Sequence, residues 1–167
     1  MEQPVSMESD LRRRRCCFTG LHPQSLKRIE DDVKVDLENS ILQAISAGYT
    51  TFVSGMEYGV DIWASEIVVR LKAGQQNLHL IAAIAYPGFD EEWEDGWRQR
   101  YRTLLSQADY VKVLAAECSK EAYQKRNEWM VNHSAKVIAV FNGMPGGTAD
   151  MLRYARMHKV PLLLLRG

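Results

Sequence analysis

Thr51-Phe52-Val53-Ser54-Gly55-Met56-Glu57-Tyr58-Gly59-Val60-Asp61 decides how this chain folds. It opens as an apolar strand and turns through two glycines. It then enters a segment in which Trp63, Ile67, Val68 and Leu71 recur at helical spacing. A strand that runs through a glycine turn into a helix is half of a βαβ unit. In an open α/β sheet such turns gather at the carboxyl ends of the strands, where helix N-termini offer unpaired N–H groups and a positive dipole end to an anion. Glycine lets backbone approach a ligand closely because no Cβ intervenes.

The same arrangement occurs on either side. Upstream, Cys16-Cys17-Phe18 runs into Thr19-Gly20; downstream, Lys136-Val137-Ile138-Ala139-Val140-Phe141 is soon followed by Pro145-Gly146-Gly147-Thr148. Between these turns the patterns alternate. Helices are predicted over 30–47, 60–72, 90–107, 120–132 and 148–157, and strands over 50–54, 78–86, 110–115, 136–141 and 160–165. The strands at 50–54, 110–115, 136–141 and 160–165 are short and mostly apolar without clean alternation, which predicts a parallel sheet covered on both faces. The expected fold is a Rossmann-like, doubly wound α/β domain with a mostly parallel sheet of about six strands. Residues 1–15 read as a flexible basic N-terminal arm ending in Arg12-Arg13-Arg14-Arg15, and residues 16–167 as a single domain.

Composition narrows the function classes. The formal net charge is +0, which speaks against a general nucleic-acid binder, so nucleic acid is not an expected partner. Three cysteines without metal-ligand spacing argue against a disulfide framework and a zinc site; they read as buried small apolar residues, Cys16 and Cys17 on opposite faces of a strand. No apolar run approaches the roughly 20 residues of a membrane span, and no signal-peptide core is visible; the expected location is the cytoplasm.

The turns supply the candidate site. Thr19, Gly20, His22 and Pro23 lie where a phosphate loop follows a first strand, although the pattern is neither GxGxxG nor a Walker motif. A plain tight turn would look the same, and His22 reads as a surface histidine as readily as a base. Ser54, Gly55, Met56 and Gly59 combine a hydroxyl and two glycines before a helix, as an anion cradle does. Asp61 could satisfy the helix dipole, accept ribose hydroxyls or serve acid–base chemistry; Glu57 and Glu66 are the other acids near the turns. Gly146, Gly147 and Thr148 place consecutive glycines before a helix, as a backbone-amide nest requires and as a plain turn also would. Arg126 and Asn127 stand side by side in a helix that also carries Tyr123 and Met130. Arg126 could clamp a phosphate bidentately or make a surface ion pair. Trp93, Trp97 and Tyr101 read as a core-packing stripe, and Glu94 as an i,i+4 partner of Arg98.

Thr19-Gly20 with Pro23, Ser54-Gly55-Met56 with Gly59-Val60-Asp61, Ala64 and Glu66, Arg126-Asn127 with Trp129-Met130-Val131, and Gly146-Gly147-Thr148 occur together in this order. In that combination the chain resembles the SLOG superfamily, in particular its YpsA-like branch, over nearly all of 16–165. The superfamily also holds the lonely-guy and DprA proteins. The resemblance implies a Rossmann-like domain for nucleotides or nucleotide-derived ligands, and related domains often form homodimers. Lonely-guy enzymes carry a longer PGGxGTxxE-type motif whose glutamate and a partner arginine serve cleavage of the base–ribose bond. Here Thr148 runs into Ala149-Asp150-Met151, without the second glycine and the glutamate. That departure argues against phosphoribohydrolase chemistry and keeps the phosphate-binding half.

Three functions are open at this point. The first is binding or sensing of a phosphoribosyl or ADP-ribose-like molecule, with no required cofactor and no metal. The second is hydrolysis of an N-glycosidic bond, with Asp61, Glu66 or Glu57 as the acid. The third is DprA-like binding of single-stranded DNA through the arginine run.

Overall fold

Cys16 and Cys17 are sequence neighbours whose side chains enter different cores, because successive strand side chains leave opposite faces of a sheet. The computed structural model describes residues 7–74 and 77–167. Its strands are β1 (Arg15–Thr19), β2 (Thr51–Ser54), β3 (His79–Ile84), β4 (Tyr110–Val113), β5 (Lys136–Phe141) and β6 (Leu162–Arg166). All pair in parallel, in the order β4-β3-β2-β1-β5-β6. The helices are α1 (Met7–Arg12), α2 (Glu30–Ser46), α3 (Val60–Lys72), α4 (Asp95–Gln107), α5 (Lys120–Asn132) and α6 (Gly147–Met157). The Rossmann-like α/β fold is as the sequence predicts.

Alternation sorts the layers. Phe18, Phe52, Leu80, Ile138 and Val140 meet Val33, Leu37 and Ile41 of α2 and Trp63, Ile67 and Val68 of α3. Cys17, Val53, Ile81, Val137 and Ala139 face the other way, onto Met130 and Val131 of α5 and Met151, Leu152 and Ala155 of α6. Ala82 and Ile84 continue the first face under Tyr101 and Leu104 of α4. Each fully buried Phe, Leu, Ile or Val contributes about 1.5–3 kcal/mol relative to exposure. Among the described residues, no helix is long and apolar enough to cross a membrane.

This topology sets the site. β1 and β5 are neighbours, with Thr19 opposite Ala139, but β1 leads to α2 on one face while β5 leads to α6 on the other. The two chain paths part there and leave a crevice beyond the strand ends, the switch point at which open α/β sheets bind ligands.

Several sequence expectations change. The predicted arm lies outside the described residues through position 6; from Met7 it forms α1. Arg12 Nε donates to the Ser134 carbonyl, and Arg15 opens β1 paired with Glu8. The helix predicted from Asp90 starts at Asp95, because Gly88 (φ 79°) and bonds from Glu91 N–H to Gly88 O and from Trp93 N–H to Asp90 O bend 88–94 into turns. Arg98 therefore reaches Asp95 at 3.3 Å, not Glu94. Trp93 precedes the helix and joins Phe89 and Tyr101 in an aromatic cluster. β4 is not covered on both faces: as an edge strand it exposes Tyr110, Val111 and Val113. Cys118 is exposed, in contrast to the buried Cys16 and Cys17.

Candidate functional site

The three glycine turns converge on a cavity of about 440 Å³ at the switch point. Gly20 comes first. A Cβ there would lie 2.4 Å from Val60 Cγ1, so only glycine lets the loop after β1 rest on the start of α3. Thr19 is buried, and its hydroxyl approaches Thr148 Oγ1 at 3.4 Å. Thr148 Oγ1 in turn donates to the Gly20 carbonyl at 3.0 Å, which joins the first turn of α6 to the β1 loop.

The second turn is held from beneath. Ser54 Oγ accepts from Met56 N–H at 3.1 Å and donates to the Asp61 carbonyl at 3.3 Å, while Ser65 Oγ donates to the same carbonyl at 2.7 Å. Met56 is fully buried with φ 60°, a left-handed conformation held by these contacts. Gly59 has φ 99°, and a Cβ there would stand 2.7 Å from the Leu21 carbonyl oxygen and 2.9 Å from Pro23 Cδ. Ser54, Met56, Gly59 and Pro23 thus shape the loops; the cavity wall itself is made by Gly55, Glu57 and Asp61.

Charge is concentrated on that wall. Arg126 arrives from α5, buried, and its Nη1 donates to the Gly55 carbonyl at 3.1 Å and to Glu57 Oε2 at 3.5 Å. Glu57 also faces His22 Nε2 at 3.4 Å, and the His22 ring stacks on Tyr58 with centroids 4.0 Å apart. Burial opposes ionisation of Glu57, but His22 and Arg126 outweigh it and hold the carboxyl below its ordinary range. Asp61 goes the other way. Burial pushes it up to about 7, with the charge of Arg126 offsetting only part of that. Among the described residues, Asp61 Oδ1 and Arg126 Nε are buried without a hydrogen-bond partner.

The third turn closes the cavity from the far side. Gly146 has φ 143°, a backbone conformation that side-chain-bearing residues rarely adopt, and nothing lies within 4 Å of a Cβ at Gly146 or Gly147. α6 starts at Gly147 with its first-turn N–H groups lacking intrahelical partners. A positive helix end, a hydroxyl, a guanidinium and a carboxylate therefore share one cavity.

Thr19, Gly20, His22, Gly55, Asp61, Arg126, Asn127, Gly146, Gly147 and Thr148 all line it, as does Glu57. Glu66 does not. It holds Arg100 Nε and Nη2 at 2.7 and 2.6 Å, outside the cavity. Sequence reasoning missed Leu21, Ser25, Met144 and Met151 in the wall. Met151 lies three residues beyond Thr148, one helical turn on, and could have been found from that spacing.

A family model described as the YspA SLOG family (YpsA) matches residues 19–161, which include all three turns as well as Asp61 and Arg126. The chain belongs to the YspA SLOG family. A UPF0398 protein of Halalkalibacterium halodurans is similar to it, 29% identical over 129 residues, covering 74% of this chain and 67% of that relative. The SPbeta prophage-derived protein YoqJ of Bacillus subtilis is 31% identical over 117 residues, 63% of this chain and 68% of YoqJ. Among solved structures, this SLOG chain shares its fold with DNA processing protein A of Helicobacter pylori. The TM-score is 0.65 at 16% identity, over 98% of this chain and 69% of that one. The Streptococcus pneumoniae DprA gives 0.60 at 20% identity, over 94% of this chain and 52% of its own. The SLOG chain thus spans about half of the pneumococcal protein.

Proposed function

We propose that this SLOG domain binds a phosphorylated nucleoside or ADP-ribose-like molecule in the switch-point cavity, as a binding or sensing module. The carrying observation is that the amino end of α6, opened by Gly146, shares one cavity with buried Arg126. The first-turn N–H groups of α6 take the phosphate, and the Thr148 hydroxyl, bonded to the Gly20 carbonyl, holds that helix end in place. Arg126 adds a cation already fixed by Gly55 and Glu57, so little side-chain freedom is lost on binding. The test is a thermal-shift panel of nucleoside mono-, di- and triphosphates, NAD, ADP-ribose and cyclic nucleotides, each sample then assayed for free base. A stabilising ligand recovered intact supports the reading; no stabilisation across the panel sinks it.

Release of base in that assay would move the chain to N-glycosidic hydrolysis. Asp61 favours that alternative, since a carboxyl raised to about 7 inside the cavity can hold a proton for a leaving base.

Single-stranded DNA is the other reading. The zero net charge weighed against nucleic acid, but the fold shared with DprA weakens that expectation, as the Helicobacter pylori protein has a described single-stranded DNA binding mode. The arginine run gives it little help. Arg12 and Arg15 are engaged by Ser134 and Glu8, and Arg15 begins β1 at the end of the sheet opposite the cavity. A gel shift with short single strands at two salt concentrations separates the cases, because binding through phosphates weakens steeply with salt.

A further inference from the structure

β6 carries four consecutive leucines, Leu162-Leu163-Leu164-Leu165, and none of them is buried; Leu164 is 48% exposed. Its neighbour β5 buries Val137, Ile138, Ala139 and Val140 completely. The difference is position. β6 lies at one edge of the sheet, and among the described residues no strand pairs with its outer side. Native edge strands are usually blunted by charge, proline, a bulge or a cover, because their unpaired N–H and C=O groups recruit other strands. β4, at the opposite edge, follows that rule with Lys112 inside a short strand. β6 has no charge before Arg166 and no proline within it.

The ladder to β5 shows which backbone groups are free. Val137 N–H donates to the Pro161 carbonyl and Gly167 N–H to the Phe141 carbonyl, so residues 161, 163, 165 and 167 turn toward β5. Residues 162, 164 and 166 alternate with them and turn outward. Arg28 agrees with this, since its Nη1 reaches the Arg166 carbonyl from outside the sheet at 3.0 Å.

A second β6, antiparallel to the first, engages all three outward residues in one register. Leu164 then lies opposite Leu164 of the second copy, and Leu162 opposite Arg166 of the second copy; other registers pair fewer of them. The same two-fold sets Leu163 opposite Leu165 on the α2 side. There an open groove of about 990 Å³ runs between β6 and Asp36, Asn39 and Gln43 of α2, with room for those side chains. The two Arg166 residues stand four positions apart along the pair, about 13 Å, beyond the ~8 Å over which salt screens charge. The Arg166 carbonyl can keep Arg28 and still accept a second bond through its other lone pair.

The area suits a reversible dimer. The strand is about 17 Å long, and the sheet with a helix on each face makes a flank roughly 30 Å thick. That gives roughly 500 Å² of face per copy, under the ~800 Å² of a standard interface. About six backbone bonds over that contact match the usual density of one per 100–200 Å².

We propose that the β6 edge is a self-association surface, joining two copies through antiparallel Leu164–Leu164 pairing into one continuous sheet. No residue of β6 lines the switch-point cavity, so association and ligand binding stand or fall separately.

The test is sedimentation of the full chain from micromolar to near-millimolar concentration, where a monomer–dimer equilibrium is expected. Leu164→Lys puts like charges directly opposite each other at an exposed position. It should weaken association on the order of 10-fold or more and leave the melting temperature unchanged. For the register, Leu164→Cys and Leu162→Cys are each made together with Cys118→Ser, because Cys118 is exposed while Cys16 and Cys17 are buried. Directly opposed residues of such a pair have Cα atoms about 5.5 Å apart, within the span of a disulfide. Mild oxidation should link the Leu164→Cys protein into a dimer and leave the Leu162→Cys protein monomeric. This arm holds even if the lysine variant does not fold. A chain that stays monomeric throughout overturns the proposal and leaves the edge to a strand of another protein. A dimer that Leu164→Lys leaves intact, or that cross-links through Leu162→Cys in place of Leu164→Cys, overturns it as well.

Discussion

Thr148 Oγ1 donates to the carbonyl of Gly20 at 3.0 Å, a bond between the first turn of α6 and the loop that follows β1. The two elements leave the sheet toward opposite faces, so this contact closes the bottom of the switch point. It fixes the amino end of α6 against Thr19, whose hydroxyl meets Thr148 at 3.4 Å. Thr148→Val keeps the shape and removes the donor. Its expected cost is about 1 kcal/mol in urea unfolding, the net worth of a hydrogen bond in a partly buried place. An unchanged midpoint would mean that the bond is not formed in solution.

Asp61 gives a pH signature with a definite sign. Its carboxyl goes from an ordinary 3.8 to about 7 on folding, chiefly through burial. A group whose pKa is raised on folding stabilises fully below its unfolded value, and this contribution is lost as pH rises through the folded one. Between pH 4 and pH 8 the parent should lose on the order of 4 kcal/mol through this group. Asp61→Asn should lack that loss, and so gain on the parent as pH rises. Unfolding of both proteins at pH 5 and pH 8 isolates the effect from Glu57, which shifts the opposite way. A parent–variant difference that stays constant between those pH values would contradict the burial argument.

Two glycines with the same φ of 99° should respond differently to alanine. At Gly48, which follows α2, nothing lies within 4 Å of a Cβ, so Gly48→Ala should cost about 1 kcal/mol from backbone conformation alone. At Gly59 the Cβ would meet the Leu21 carbonyl at 2.7 Å, and the expected cost is about 3 kcal/mol or more. Equal melting temperatures for the two variants would show that the Gly59 contact relaxes.

Glu66 and Arg100 test the boundary of the site. Each side chain is 37% exposed, and their bidentate pair lies outside the cavity. Glu66→Gln should cost less than about 1 kcal/mol and leave phosphate binding unchanged in calorimetry. A clear loss of binding would return Glu66 to the site.

Much of the fold was legible because its signals are local. Val33, Leu37, Ile41 and Ala44 mark α2 by spacing, and Gly48 ends it; α3, α5 and β5 occupy the predicted residues. Asp90–Glu94 misled because an acidic run before an aromatic stripe resembles a helix start, whereas Gly88 and the contacts of Asp90 bend it into turns. Exposure of β4 was not legible either: an apolar strand has the same sequence at an edge as in the middle of a sheet.

By itself, then, the sequence determined the alternating elements, the three glycine turns and the family, since spacing and turn chemistry depend on residues a few positions apart. Only the tertiary structure decided what those turns face. Arg126 reaches Gly55 across 71 positions, and Thr148 reaches Gly20 across 128. Such contacts follow from strand order, which places β1 beside β5 and so brings the loops after them to one crevice. Burial decided the rest. It separated Asp61, sealed beside Arg126, from Glu66, paired with Arg100 on the outer surface, although the two acids lie five residues apart on one helix.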